Sequence, residues 1–347
     1  MKSASAVSGL DYRHLLRMSD DAGLFEHACG PLPRREHGYC LDDVARGLVV
    51  LSRERRMSPE LSRLQELLLM FTAHAHQDGR FRNRLGYDRR WQDDPGLGDW
   101  WGRALWGLGS TAVHADRGWV RTAARELFDS GARHRSPDQR AMVFAALGAA
   151  EVLTRHPQDG PSRRLLGATV SAVGPIPGWP GWPWPESRLR YANAAVAEAL
   201  IAAGSLLPDE DVLADGLRVL EWLVDLQTPQ GWLSVVPAGG WEPGRISPGF
   251  DQQPIEVAAL AAACARAYAV TGAARWALTV RLASDWFLGV NDARTPLADR
   301  STGGCADGLR VDGVSTNQGA ESTLALLHTC QLERHRADMA AAAGVLA

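Results

Sequence analysis

The 347-residue chain carries a formal charge of −3, with acidic and basic residues interspersed along its length. It therefore lacks the basic surface that nucleic acid or an anionic membrane would require. Lys2 is the single lysine, which excludes Schiff-base, pyridoxal phosphate and Walker-type chemistry, because each needs a placed lysine. The first 21 residues lack the apolar core of a signal peptide, and the five cysteines form no CxxC pair. We expect a reduced, cytoplasmic protein with no cofactor, no metal and no membrane-inserted segment.

A repeat that is weak in identity but clear in pattern runs along most of the chain. In each unit, polar residues precede a run of small and apolar residues at helical spacing. The six segments are YCLDDVARGLVVL, GDWWGRALWGLG, SPDQRAMVFAALGAAEVL, RYANAAVAEALIAAG, DQQPIEVAALAAACARAYAVTG and TNQGAESTLALLHTC. Their polar heads lie 39 to 66 residues apart, at Asp42, Asp99, Asp138, Tyr191, Asp251 and Asn317. That interval accommodates two helices and two loops per unit.

Between these segments the sequence predicts five amphipathic helices, each with an apolar stripe opposite arginine or acid. Signals for β-structure are sparse, and GWLSVV at residues 231–236 is one short candidate strand. The alternation predicts an all-α fold, an (α/α)6 barrel in which outer helices wrap an inner ring. We expect one domain over residues 1–347, with residues 1–20 and 336–347 peripheral, because no flexible linker interrupts the repeat.

In such a barrel, the N-terminal ends of the inner helices and the loops before them point to one mouth. Helix dipoles present partial positive charge there, which favours carboxylates and polar ligands. Each polar head has a simpler explanation as the cap of its own helix. Glu256 and Glu321 lie beyond the cap position, so capping does not account for all of these residues.

The thirteen tryptophans are unusually many, and several fall in proline-rich loops such as PIPGWPGWPWPES. Indole rings beside acids, amides and arginine are typical of carbohydrate sites, because the ring covers the apolar face of a sugar while polar groups bind its hydroxyls. The alternative is that these rings fill the open end of the barrel as core. We interpret them as a sugar-lined cleft with Trp91, Trp184 and Trp241 in the sugar subsites.

Glycoside cleavage requires two carboxyl groups, one to protonate the leaving oxygen and one to activate water or attack the sugar. The candidates at the expected mouth are Asp42, Asp43, Asp94, Asp99, Glu186, Asp251, Glu256 and Glu321. Asp43 shares a helical face with Arg46, whereas Asp42 diverges from Asp43 by about 100°, so only one of the two acids can point at a given ligand and we place Asp43 inward.

The other acids differ in their expected depth. Gln252 and Glu256 share one helical stripe, which puts Asp251 at the rim and Glu256 on the inner wall. Glu186 follows a tryptophan–proline run, and such an apolar setting favours an acid with a raised pKa. The sequence contains no HExxH, GxSxG, phosphate-loop or Rossmann glycine motif, so competing chemistries have less support.

Several motifs resemble those of a bacterial glycosidase-like family, often labelled glycosyltransferase-associated and similar to six-hairpin glycosidases. They are GYCLDDVARGL, FRNRLGYDRRW, GRALWGLG, WPWPESRLRYANA, FDQQPIE and STNQGAESTLALL, spanning residues 39–327. The resemblance implies an (α/α)6 barrel and association with a glycosyltransferase. It points to site residues Asp42, Asp43, Arg46, Tyr87, Asp88, Arg89, Arg90, Trp91, Arg103, Glu186, Tyr191, Asn193, Asp251, Gln252, Glu256, Asn317, Gln318 and Glu321. The chain departs from the family at Val44, Trp100 and Trp101, where relatives tend to carry Asn, Ser and His.

We therefore expect a glycoside hydrolase-like enzyme that inverts configuration and acts on an oligosaccharide or glycoconjugate, with Asp43, Glu186 and Asp251 as acid/base groups. The expected substrate-binding residues are Asp42, Arg46, Tyr87, Arg90, Trp91, Asp99, Arg103, Trp184, Tyr191, Asn193, Trp241, Gln252, Glu256, Asn317, Gln318 and Glu321. Two alternatives stay open: a non-catalytic carbohydrate-binding partner of a glycosyltransferase, and a sugar epimerase. An expected lack of histidine on the inner helices counts against the epimerase.

Overall fold

The computed structural model describes residues 10–179, 181–244, 249–342 and 344. The helices in these ranges are α1 (Arg13–Arg17), α2 (Leu41–Ser52), α3 (Pro59–Ala75), α4 (Asp99–His114), α5 (Gly118–Gly131), α6 (Gln139–Arg155), α7 (Gly160–Val173), α8 (Asn193–Leu206), α9 (Glu210–Gln227), α10 (Pro254–Thr271), α11 (Ala274–Phe287) and α12 (Ala320–Ala342). A three-residue 3₁₀ turn spans Arg35–His37.

The strands in these ranges are two residues long and form antiparallel pairs in the loops. They are β1 (Ala28–Cys29), β2 (Leu32–Pro33), β3 (Tyr39–Cys40), β4 (His76–Gln77), β5 (Arg80–Phe81), β6 (Arg84–Leu85), β7 (Ala298–Asp299), β8 (Gly304–Cys305), β9 (Leu309–Arg310) and β10 (Gly313–Val314). The candidate strand at residues 231–236 does not form. Its buried residues Leu233, Val235 and Val236 instead pack as a loop, and Val236 N donates to Gln227 Oε1 at 3.1 Å.

The even-numbered helices α2 to α12 form a closed inner ring, in which each helix packs against the next and α12 packs against α2. Helices α3, α5, α7, α9 and α11 pack outside the inner helix that precedes each of them. The six repeated segments correspond to the inner helices, and the five amphipathic segments correspond to the outer ones. The prediction of an all-α (α/α)6 barrel is therefore confirmed.

The short helix α1 packs against α12 and α3. His14 and Leu15 are fully buried, and His14 Nε2 lies 2.8 Å from the carbonyl oxygen of Gln318. Residues 10–20 are therefore part of the packed structure, and the expectation that they are peripheral is wrong for them. Residues 1–9 and 345–347 lie outside the described residues, and the assignment of residues 1–347 to one domain stays a prediction.

Glycines allow three inner helices to approach at backbone contact. A Cβ added at Gly107 on α4 would lie 2.7 Å from the carbonyl oxygen of Ala45 on α2. On the other side of α4, a Cβ at Gly102 would overlap the Ala141 carbonyl of α6, and one at Gly148 would overlap the Leu105 carbonyl of α4. The ring closes only because these positions carry no side chain.

Side chains that face the barrel axis form three layers, because residues three or four apart on a helix share a face. On α2 the series runs from Asp42 and Arg46 through Val49 to Arg53 just beyond the helix. The middle layer is apolar and encloses a cavity of about 50 Å³ lined mainly by Val49, Val50, Trp106, Phe144, Leu147, Ala195, Ala258, Ala259, Ala262, Leu324 and Ala325. Polar layers lie above and below it.

The lower polar layer takes one residue from each inner helix or from the position just beyond it: Arg53, His114, Glu151, Glu198, Arg266 and His328. Glu151 accepts hydrogen bonds from Arg53 at 2.6 Å and His114 at 2.8 Å. Burial opposes ionisation of Glu151, but Arg53, His114 and Arg266 together hold its pKa well below the usual range. Burial and Arg53 lower the pKa of His328 to about 3, so this ring is neutral.

Helix α10 is long and apolar enough to cross a membrane, with a mean hydropathy of 1.2 over 18 residues. It packs between α8 and α12 in the inner ring, and 56% of its residues are buried inside the protein. Its apolar character therefore follows from its place in the barrel.

The glycine contacts predict opposite effects for two Gly-to-Ala substitutions within helices. Gly148→Ala should lower the free energy of unfolding by about 2–3 kcal/mol, because the added methyl meets α4 backbone that cannot rotate away. Gly167→Ala, on outer helix α7, should raise it by up to about 1 kcal/mol, because its nearest neighbour is 3.9 Å away. Urea unfolding of both variants beside the wild type checks this, and equal effects would contradict the close packing of α4 and α6.

Candidate active site

Two adjoining cavities of about 300 and 250 Å³ open at the N-terminal ends of the inner helices. We call them the mouth. The larger is lined by Glu26, His27, Cys40, Asp42, Asp43, Arg46, Arg84, Gln253, Asp307, Gly319, Glu321 and Ser322. The smaller is lined by Asp42, Arg46, Asp99, Arg103, Tyr191, Gln253, Ile255 and Glu321. Four residues, Asp42, Arg46, Gln253 and Glu321, line both cavities and join them.

Arg46 bridges two carboxyl groups in the mouth. Its NH1 donates to Asp43 Oδ1 at 2.7 Å, one turn back on α2, and its NH2 pairs with Glu321 in the first turn of α12. The predicted pairing of Asp43 with Arg46 is therefore present. Since Asp42 lines both cavities as well, the expectation that only one of the two adjacent acids faces the ligand is wrong.

The two carboxyl groups that Arg46 bridges lie in different settings. Asp43 is 3% exposed, and burial raises its pKa to about 8. The neighbouring carboxylates of Glu321 and Asp42 act in the same direction, whereas Arg46 opposes the shift. The Glu321 side chain is 37% exposed and reaches the solvent of the mouth. One buried acid with a raised pKa and one more exposed carboxyl group thus lie on either side of one guanidinium.

The α4 side of the mouth pairs Arg103 with Asp42. Arg103 Nε lies 3.2 Å from Asp42 Oδ1, and the guanidinium stacks over the Phe144 ring at 3.7 Å. Asn83 donates its amide hydrogen to the other oxygen of Asp42 at 3.1 Å. Both oxygens of Asp42 therefore face positive or donor groups, and its orientation is fixed.

Tyr191 and Asp99 form the opposite wall. The Tyr191 hydroxyl donates to Asp99, and burial raises the pKa of Asp99 although this bond opposes the shift. Arg140 of α6 donates from Nε to the Tyr191 carbonyl at 3.2 Å, which holds the loop before α8 against α6. The Tyr191 hydroxyl and the Asp99 carboxyl group thus form a second hydrogen-bonded pair, which lines the smaller cavity.

Glu256 does not line the described mouth, because its carboxylate is occupied by the start of α8. It accepts hydrogen bonds from Ala192 N, from Asn193 N at 3.3 Å and from Asn193 Nδ2 at 3.0 Å. Ala192 adopts a left-handed conformation with φ of 47°, which this anchor holds in place. Glu256 and Asn193 thus hold the start of α8 beside Tyr191, and their predicted substrate-binding roles stay predictions. Burial raises the pKa of Glu256 to about 7.

Sequence reasoning missed nine of the residues that line the mouth, among them Glu26, His27, Arg84, Gln253 and Asp307. Arg84 pairs with Glu26 across the mouth. It lies within the motif FRNRLGYDRRW, but the family resemblance points to residues 87–91 of that motif as site residues. Gln253 is the neighbour of the predicted Gln252. Glu26, His27 and Asp307 come from loops outside the repeat and carry no signal of their own.

The predicted site residues fall into three groups. The structure brings together in the mouth Asp42, Asp43, Arg46, Asp99, Arg103, Tyr191 and Glu321. Adjacent positions that support the mouth are occupied by Glu186, Asn193, Glu256 and Asn317. The remaining predicted residues are not among the described lining of either cavity: Tyr87, Arg90, Trp91, Asp94, Trp184, Trp241, Asp251, Gln252 and Gln318.

The three tryptophans do not form sugar subsites in the mouth. Trp184 is 1% exposed and donates to the Arg188 carbonyl at 3.1 Å, so its face is covered by protein. Trp241 packs its ring 5.6 Å from that of Trp182, and Trp91 packs on Phe71 of the outer helix α3 at the same ring distance. The alternative that tryptophans serve as core is the better description. Two of the three positions that depart from the family are tryptophans held by protein: Trp101 is fully buried, and Trp100 donates from Nε1 to the Phe81 carbonyl at 2.6 Å.

Two of the three predicted acid/base groups lie apart from Asp43. Glu186 is paired through Oε2 with Arg140 at 2.7 Å and through Oε1 with Arg190 at 3.4 Å, so it braces the loop before α8. Asp251 is exposed, and its carbonyl accepts from Ala238 N at 2.8 Å. Neither Glu186 nor Asp251 is among the described lining of the mouth, and their roles as partners of Asp43 stay predictions, whereas Glu321 is joined to Asp43 through Arg46.

Other predicted binding residues contact protein or lie at the surface. Gln252 is fully buried and bonds Trp286 of α11 and Asp292, so it does not lie at the rim. Gln318 donates to Asp299 Oδ2 at 3.1 Å. Asn317 donates to Asp307 at 2.5 Å and accepts from Ala28 N, while Tyr87 and Arg90 are exposed. Gln252 is therefore enclosed by protein, whereas Gln318 is partly exposed and lines another cavity among the described residues, so its predicted role in sugar binding stays a prediction.

Oxygens of Glu26 and Asp43 and the Cys40 sulfur lie within 4.8 Å of one another, a spacing that metal ions use. Arg84 and Arg46 already neutralise the two acids, and burial raises the pKa of the Cys40 thiol well above its usual value. A thiol must lose its proton to bind a metal, so this donor set does not fit one.

Comparison with solved structures finds matches over nearly the whole chain. The cellobiose 2-epimerase from Spirochaeta thermophila matches with a TM-score of 0.71 and 14% identity, over 94% of this chain and 93% of that chain. A sugar epimerase from a ruminal bacterium matches with a TM-score of 0.68 and 12% identity, over 93% and 95%. The GH76 alpha-mannanase from Bacteroides thetaiotaomicron matches with a TM-score of 0.58 and 10% identity, over 87% of each.

By fold, the chain is a six-hairpin (α/α)6 barrel. No protein-family model matches its sequence, and a search of curated proteins finds no related sequence. Because the identities are low, the similarity to these barrels shows the fold alone.

The anchor at Glu256 predicts a loss of stability on neutralisation. Glu256→Gln should lower the free energy of unfolding by about 1–3 kcal/mol at pH 8, because one backbone N–H of the α8 start loses its acceptor. Glu221→Gln, on the exposed face of α9, is the control and should change it by less than about 0.5 kcal/mol. Urea unfolding at 25 °C measures both, and equal stability of the two variants would show that the anchor contributes nothing.

The raised pKa of Asp43 predicts a pH-dependent stability difference. Between the ordinary pKa of 3.8 and the raised value of about 8, the folded protein holds a proton that the unfolded chain releases. The free energy of unfolding therefore falls as pH rises through this window. Asp43→Asn lacks this titration, so the wild type should lose more than about 1 kcal/mol relative to the variant from pH 4 to pH 8. If the difference in unfolding free energy between the wild type and Asp43→Asn stayed constant from pH 4 to pH 8, or if the wild type became relatively more stable, the raised pKa of Asp43 would be contradicted.

Proposed function

We propose that this barrel is a carbohydrate-active enzyme that transfers protons to and from a sugar bound in the mouth. The observation that carries this proposal is the Asp43–Arg46–Glu321 arrangement, with one buried acid and one open carboxylate on the same cavity. Two carboxyl groups in unlike settings can hold different protonation states at one pH, which acid–base catalysis requires. The structural similarity to sugar epimerases and a mannanase is consistent with a sugar ligand.

The first candidate reaction is glycoside hydrolysis. Asp43 would donate its proton to the glycosidic oxygen as the bond to the anomeric carbon breaks. Glu321 would accept a proton from the water that attacks the same carbon, so that one water is consumed and two sugars leave. Arg46 would hold both groups in place through its two ion pairs. An inverting mechanism would require the carboxyl groups to be about 6.5–9.5 Å apart.

The second candidate is sugar epimerisation, which the structural similarity favours. The epimerases match this chain over 93% and 94% of its length, with higher TM-scores than the mannanase. The inner helices do carry histidines, contrary to the sequence expectation, but His328 and His114 belong to the lower polar layer. His27 is the described histidine that lines the mouth. The Tyr191–Asp99 pair could supply the second proton-transfer group across the cavity.

A screen of disaccharides and aryl glycosides by proton NMR tests both candidates, because it resolves new reducing ends, their anomeric form and changes at C2. Hydrolysis should release the inverted anomer, and Asp43→Asn and Glu321→Gln should each lower kcat/KM by about 10²–10⁴-fold. Glu221→Gln on the outer face should retain wild-type activity. A new C2 epimer without bond cleavage would favour the second candidate.

The same screen separates catalysis from binding alone. A wild type that binds a sugar without converting it, with both mouth variants binding equally well, would refute the enzyme proposal and favour a carbohydrate-binding partner of another enzyme. Association with a glycosyltransferase and a cytoplasmic location rest on the sequence and stay predictions.

A further inference from the structure

The charges that line the mouth constrain what it can bind. Among the described residues, six carboxyl groups line its two cavities: Glu26, Asp42, Asp43, Asp99, Asp307 and Glu321. Three guanidinium groups line them as well, on Arg46, Arg84 and Arg103. Carboxyl groups therefore outnumber arginines by two to one at the place where a substrate would enter.

Every one of these three arginines already has a carboxylate partner. Arg84 pairs with Glu26, and Arg103 Nε lies 3.2 Å from Asp42 Oδ1. The guanidinium of Arg46 is shared between two acids. An arginine side chain does not lose its proton in a protein, so these three guanidinium groups stay charged. An incoming anion would have to displace a carboxylate that the fold holds in place.

Counted without His27, which also lines the larger cavity, the charge balance is negative with every carboxyl group ionised and zero with three of them protonated. With all six carboxyl groups ionised, six negative charges face three positive ones, for a net charge of −3. Burial raises the pKa of Asp43, Asp99 and Asp307. If these three are protonated, the three remaining carboxylates balance the three arginines.

We propose that the mouth selects sugars that carry no negative charge and rejects uronates and sugar phosphates. This inference rests on the proposed function for the location of the sugar, and it adds the chemical class of the substrate. Hydroxyl or ammonium groups donate hydrogen bonds, and the acidic lining offers acceptors at Asp42, Asp99 and Glu321. A carboxylate or phosphate offers acceptors alone and would face these acids at close range, which like-charge repulsion disfavours.

The Glu26–Arg84 pair gives a way to reverse this selectivity. Both side chains reach the larger cavity, and Arg84 is 44% exposed on its side chain. Glu26→Gln removes one negative charge and leaves Arg84 unpaired towards the cavity. The variant should therefore accept an anionic sugar that the wild type rejects, whereas loss of an acid elsewhere on the surface should not.

The test uses three matched pairs of methyl glycosides, namely glucoside and glucuronide, mannoside and mannuronide, and galactoside and galacturonide. Isothermal titration at pH 7 should show that each uronide binds the wild type at least about tenfold more weakly than its neutral partner. Glu26→Gln should reduce the ratio of the uronide Kd to the neutral-glycoside Kd several-fold, and the control Glu221→Gln should leave this ratio unchanged. A uronide that binds the wild type as tightly as its neutral partner would overturn the proposal.

Inorganic phosphate provides a second probe that does not depend on the choice of sugar. Phosphate raises the Tm of proteins in general relative to chloride of equal ionic strength. This rise should be the same for the wild type and the control Glu221→Gln, and larger for Glu26→Gln. Phosphate stabilisation of the wild type that Arg84→Gln abolishes would overturn the proposal. Failure of the proposed function is distinguishable, because it appears as a lack of turnover, whereas this test measures binding alone.

Discussion

Backbone contact between α4 and its neighbours is the constraint on which the rest of this structure depends. Gly102 and Gly148 bring α4 and α6 together, and Gly107 brings α4 against Ala45 of α2. With bulkier residues the helices would move apart, and a ring of six would enclose a wider central space. The short spacing leaves an axial cavity of about 50 Å³, which is lined mainly by apolar side chains. Polar groups are then confined to the two ends of the barrel.

Those two ends use charge in different ways. At the lower end Glu151 receives hydrogen bonds from Arg53 and His114, so a buried carboxylate is satisfied within a closed network. At the mouth, Asp43 is buried with a single arginine that it shares with the more exposed Glu321. The lower layer is therefore suited to holding six helices together, whereas the mouth leaves proton-bearing groups facing an open cavity.

The repeat made the fold predictable, and the helix pattern made only part of the mouth predictable. Asp43, Arg46, Arg103 and Glu321 belong to the periodic face of inner helices, so their convergence follows from the 3.6-residue period and the closure of the ring. The loop residues Glu26, Arg84 and Asp307 reach the mouth through contacts between segments far apart in sequence. No local pattern contains that information.

The errors in the sequence prediction have a common physical origin. Trp184 and Gln252 were assigned to a sugar on the basis of residue type, yet the Trp184 side chain donates to a carbonyl and Gln252 accepts a hydrogen bond from Trp286 on an outer helix. A polar or aromatic group near a helix start is as well suited to bracing loops as to binding ligand, and chemistry alone does not distinguish the two.

Glu256 illustrates why depth in the barrel matters more than residue type. It lies within the first turn of α10, as Glu321 does in α12, and both are acids of inner helices. The loop before α8 covers Glu256 and fills its acceptors with the N–H groups of Ala192 and Asn193, whereas Glu321 is left 37% exposed beside Arg46. Two equivalent positions in the repeat thus acquire different roles, because one faces a loop and the other faces the cavity. The irregular loops between the helices therefore decide which of the repeated acids can meet a substrate.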